Sequence, residues 1–149
     1  MEHSATSINR LATQATVHCL TGCSIGEVLG LVIATALAWH DLPSIALSIV
    51  LAFFFGYALT VRPLLAGGLS LARAARLALA SDTISITTME IVDTAIVVAI
   101  PGAMAAGLLD PLFWGSLALS LAIAGVVAWP VNRWLIARGQ GHAVLHGSH

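Results

Sequence analysis

The chain has 149 residues, of which 58% are hydrophobic and only 9% charged, with a mean hydropathy of +0.95. A soluble domain carries about 25% charged residues, so this composition excludes a water-soluble monomer and points to a single small membrane domain. Six arginines, no lysine and seven acidic residues leave a formal charge of −1, which provides no basic surface for a nucleic-acid partner.

A helix needs about 20 apolar residues to cross a ~30 Å hydrocarbon core, and four stretches meet that length. The first covers residues 16–39 and ends at His40-Asp41-Leu42-Pro43. Within its first turns, Leu20-Thr21-Gly22-Cys23 has the look of a lipoprotein cleavage box. The residues ahead of that box are too polar for a signal peptide, so the reading is an uncleaved first span. The second span covers residues 42–61 and stops at Arg62-Pro63. Residues 64–80 mix leucines with Arg73, Arg76 and Gly67-Gly68, the pattern of a short amphipathic helix lying at the membrane face. The third span covers residues 83–100, and the fourth covers 112–135. Residues 136–149 form a tail bearing His142 and His146. Lipid offers no partners to backbone groups, so each span is expected to be helical. The expected fold is an all-α, integral membrane four-helix bundle, with the interfacial helix between spans two and three.

Charge placement orients this bundle. Arg10, Arg62, Arg73, Arg76, Arg133 and Arg138 all fall on one side of a four-span arrangement, and the two opposite loops contain none. The positive-inside rule then places both termini in the cytoplasm of a bacterial plasma (inner) membrane, with the lipid bilayer as the first partner.

The spans contain residues that lipid does not tolerate without a reason. In span one, Gly22, Gly26 and Gly30 repeat every four residues, a stripe that lets a neighbouring helix approach closely. Cys19, Cys23 and Glu27 form a second stripe beside it. In span three, Glu90 and Asp93 share a flank and lie at a depth similar to that of Glu27. Each carboxylate at a span centre costs about 2.5–3.5 kcal/mol on insertion scales. Every arginine sits near the interface, so protonation or a bound cation is the expected compensation. The two cysteines, four apart, make a disulfide awkward.

Three segments carry a resemblance: H-C-L-x-G-C-x-I-G-E at His18–Glu27, S-I-x-x-M-E-I-x-D at Ser85–Asp93, and G-H-x-x-x-H at Gly141–His146. The chain resembles a bacterial family of small four-span membrane proteins filed as a domain of unknown function, from about Ala15 to His146. That resemblance implies the fold and the membrane placement and no activity.

Function therefore has to come from the residues. Thiolate, thioether and imidazole ligands suit copper or zinc, so one expectation is a transition-metal site or path. Its ligands would be His18, Cys19, Cys23, Met89, His142 and His146, with Glu27, Glu90 and Asp93 carrying the ion or its exchanged protons. Four spans barely enclose a path, which argues for a homodimer or another oligomer. The alternative is a proton-coupled carrier of a small solute. There the chain looks like the small multidrug transporters, with their four spans and buried glutamate, but its aromatic content is low and its arginine bias fixes one orientation. A third reading is a non-catalytic subunit of a membrane assembly. No phosphate loop, G-x-S-x-G or H-E-x-x-H is present, and an enzyme is the weaker expectation.

Overall fold

The computed structural model describes residues 2–138, all in helices or the turns that join them. The helices are α1 (Glu2–Ala36), α2 (Asp41–Ala66), α3 (Leu71–Ala99) and α4 (Pro111–Ala137). Each packs on its neighbour in sequence, α4 closes back on α1, and α1 also meets α3 across the bundle. Connections are short, so successive helices run antiparallel. All six arginines consequently sit at one end, which the start of α1 shares with the end of α4.

The bundle is inside-out relative to a soluble protein. Its outer surface carries exposed Val50, Phe54, Ile91 and Val126, while Asp82, Ser85, Glu90, Asp93, Ser120 and Asn132 are buried. Three helices are long and apolar enough to cross a membrane: residues Ser7–Ala36, α2 and α4. The third helix carries Arg73, Arg76, Asp82, Glu90 and Asp93 and lacks that uniform apolar character. It turns its polar residues into the bundle and leaves Leu79, Ile84, Ile91 and Val98 outside.

Two boundaries differ from the sequence reading. Residues 64–80 do not form a separate interfacial helix. Their first part completes α2, a turn at Gly67 and Gly68 follows, and the rest opens α3, which continues unbroken into the expected third span. Leu71–Asp82 is rich in Ala, Leu and Arg, which are strong helix formers, and nothing in it stops a helix. Gly68 takes a φ of +94°, a conformation that favours glycine, and Ser70 caps α3 by accepting a bond from the Arg73 amide. The first helix also begins well before residue 16. Its polar start is held against α4 by three bonds at the arginine-bearing end. Arg133 donates to Asn9 at 2.7 Å, the Trp129 indole to Thr13 at 3.1 Å, and Asn132 to Thr16 at 2.9 Å.

The glycine stripe sets the α1–α2 distance. A Cβ at Gly22 would lie 2.7 Å from the Gly56 Cα, and one at Gly30 would lie 2.7 Å from the Ser48 Cα. Backbone is packed against backbone along three turns, which only the absence of a side chain permits.

Candidate functional site

Close α1–α2 packing fixes which face of α1 looks into the bundle. One turn at a time, that face presents Cys19, Cys23 and Glu27, and α3 answers with Ser85, Ile86, Met89, Glu90 and Asp93. Cys19, Cys23, Ile86 and Met89 form the centre of the main core cluster, closed by Ala52 of α2 and Ala124 and Ala128 of α4. The Ser85 hydroxyl donates to the Cys19 sulfur at 3.4 Å, so spans one and three touch directly. Both cysteines are free thiols.

Deeper along the same face, the three carboxylates meet. Glu27 and Asp93 are in hydrogen-bonding contact, and Glu90 is in contact with the Cys23 thiol. Glu27, Glu90 and Asp93 line a cavity of about 90 Å³ toward the end of the bundle opposite the arginines. All four helices contribute to its wall: Glu27 from α1, Ser44 and Ser48 from α2, Thr94 with the two acids from α3, and Ser116 with Phe113 from α4. Ala103 and Met104 of the α3–α4 turn close it from the side. Glu90 and Asp93 are only 4% and 5% exposed. One carboxylate oxygen of each acid, and the Ser116 hydroxyl, is buried with no hydrogen-bond partner in the protein. No arginine or histidine is among the lining residues. One water needs about 10–15 Å³ of such space, so the cavity has room for several waters.

The histidine and thiol ligands do not join this cavity. His18 lies further toward the arginine-bearing end, where its Nε2 is 2.9 Å from the Thr60 hydroxyl of α2. Met89 is fully buried and packs among Cys19, Cys23 and Ile86. Among the described residues, no three or more His, Cys, Asp or Glu side chains are arranged to hold a metal ion. His142 and His146 lie outside the described residues.

The structure brings in several residues that are not among the expected site residues. Asp82 is fully buried, bonded by Ser81 at 2.8 Å, in hydrogen-bonding contact with Thr60 and near enough to His18 to feel its charge. It falls one residue outside the span expected at 83–100. Ser44, Ser48 and Ser116 gave no signal in sequence, since a serine in a span commonly returns its hydroxyl to its own helix, as Ser44 does to the His40 carbonyl.

The family model of a domain of unknown function, DUF4396, matches residues 9–141. The chain belongs to this family. No curated protein and no solved structure matches it. The matched segment takes in the glycine stripe, both cysteines and every acid of the cavity.

Proposed function

We propose that this protein is a proton-coupled carrier of a small cation, with Glu27, Glu90 and Asp93 as the groups that exchange protons for cargo. The observation that supports it is that three acids, each with a buried carboxylate oxygen that has no hydrogen-bond partner, line one cavity without a positive group in its wall. Such acids are stable in a low-dielectric interior when neutral or when paired with a cation, and far less so when ionised and alone. Cation entry and proton loss are therefore linked, because each satisfies what the other leaves unsatisfied. The wall is largely apolar, and the charged and hydroxyl groups set into it are all oxygen donors, carboxyls and hydroxyls, which suit hard ions or a small ammonium group better than copper. In this reading the arginine-bearing end faces the cytoplasm of a bacterial inner membrane, by the positive-inside rule. A transition-metal reading draws on a different observation, the shared burial of Cys19, Cys23 and Met89.

Proton release separates the two. Purified protein in weak buffer with a pH indicator is challenged in turn with Na⁺, Mg²⁺, methylammonium, Zn²⁺ and Cu⁺. We expect one of the first three to release protons. The signal should disappear in the double variant Glu90→Gln/Asp93→Asn and survive in Cys19→Ser/Cys23→Ser. Release confined to Zn²⁺ or Cu⁺ and lost with the cysteines would replace this reading by the transition-metal one, and release by none of the five would sink both.

A further inference from the structure

The cavity lies toward one end of the bundle, yet polar groups continue from it through the core to the other. Starting at the arginine-bearing end, His18 and Thr60 are 2.9 Å apart. Asp82 is in hydrogen-bonding contact with Thr60, lies near enough to His18 to feel its charge, and accepts from Ser81 at 2.8 Å. One turn further, Ser85 donates to Cys19 at 3.4 Å. Another turn along, Cys23 meets Glu90, which opens on the cavity beside Asp93 and Glu27. This row lies on facing sides of α1 and α3, and most of it is inaccessible. Asp82, Ser85, Cys19 and Cys23 are each 0–1% exposed.

We infer that this row is a proton relay, with Asp82 as its entry station from the arginine-bearing end. The inference rests on the proton-coupled reading of the cavity and adds the route by which its acids exchange protons with the far side. A carboxyl at Asp82 is a second proton-binding group, about 16 Å along α3 from Asp93 at 1.5 Å per residue. Three groups face it from the helices around it: His18 and Cys19 from α1 and Thr60 from α2. Ser81 on its own helix completes the set. Between Asp82 and Glu90, each hydroxyl or thiol accepts one proton and releases its own. The net change is therefore a carboxylic acid at Asp82 becoming a carboxylate, and a carboxylate at Glu90 becoming a carboxylic acid. Stations separated along one helix are about one turn, ~5.4 Å, apart. A side-chain rotation or one bridging water spans that distance.

A row of polar residues in a membrane bundle could also be there only to hold helices together, so the test needs a readout that packing does not move. Full-length protein is reconstituted in vesicles containing a pH-sensitive dye, and a potassium diffusion potential set with valinomycin drives protons inward. Proton entry above that of protein-free vesicles is expected for the native chain and for Cys19→Ser, whose hydroxyl can still relay. Entry should fall to the protein-free level in Asp82→Asn and in Ser85→Ala and return in part in Asp82→Glu. The cation-induced proton release described above, an equilibrium property of the cavity, should persist in both blocked variants. Absence of proton entry through the native chain, or undiminished entry in Asp82→Asn and Ser85→Ala, overturns the relay. Neither outcome touches the cavity reading, which stands or falls on the release experiment. If Asp82→Asn does not fold, Ser85→Ala decides alone.

Discussion

Gly26 is where α1 and α2 come closest. A Cβ built there would overlap the Ala52 backbone of α2, and the contacts at Gly22 and Gly30 leave neighbouring turns no freedom to open. Overpacking of a tight contact costs about 1–3 kcal/mol. Gly26→Leu is expected to exceed that range and Gly26→Ala to fall within it, measured as loss of thermal stability in detergent. By contrast, Gly115 and Gly107 have no atom within 4 Å of a built Cβ, and Gly115→Ala should leave stability unchanged or slightly raised. If Gly26→Ala is as stable as the native chain, the two helices are not in backbone contact. The stripe itself was readable in the sequence, because three glycines four apart in an apolar stretch have few other uses. Its partner surface, Ser48, Ala52 and Gly56, was not, since small residues on α2 look like any other apolar filler. The acids follow the same pattern. Glu27, Glu90 and Asp93 announce themselves by their cost in lipid, whereas Ser116 and Thr60 become site residues only once four helices surround them.

At the scale of the elements, α3 is a helix that could not stand alone in lipid. It carries five charged residues in 29 and makes its place by turning Asp82, Glu90 and Asp93 toward α1, α2 and α4. Helix period alone assigns this, since positions 82, 86, 89, 90 and 93 fall on one side. What the sequence hid was its start. A glycine pair and two arginines read as an amphipathic segment of its own, and only the uninterrupted helix-forming run from Leu71 to Ala99 joins it to the span. Its far end hands over to a turn that closes the cavity, and α4 then restarts at Pro111 with Asp110 as its cap, accepting from the Leu112 amide at 2.9 Å. Loss of such a cap costs about 1 kcal/mol. Asp110→Ala should therefore lower the unfolding midpoint modestly, while Asp110→Asn and Asp110→Ser should retain most of it. An equal loss in all three would mean that the carboxylate acts otherwise than as a cap.

For the molecule as a whole, the distribution of charge makes a stronger statement than its small total. Arg10 on α1, Arg62 at the end of α2, Arg73 and Arg76 at the start of α3, and Arg133 and Arg138 at the end of α4 all gather at one end. At the other end, the turns around His40 and residues 101–110 carry none. Charges near helix ends decide insertion through short loops, and both of these turns are short. A chain so biased should insert in one orientation, with the arginine end inside and the cavity nearer the outer face. Single cysteines at His40 and at Gly107, placed in a Cys19→Ser/Cys23→Ser background, should react in intact cells with a maleimide that cannot cross the membrane. A cysteine at Gly67, in the turn between α2 and α3, should react only after the cells are opened. The reverse pattern would place the cavity at the cytoplasmic side and reverse the direction in which Asp82 takes up protons. Labelling of all three turns in intact cells would mean that the chain inserts both ways. Because Gly67 and His40 bracket α2, their opposite labelling also requires that α2 cross the membrane, and Gly67 with Gly107 makes the same demand of α3. The helix whose composition argues least for a membrane is thereby tested by the same three positions that fix the orientation.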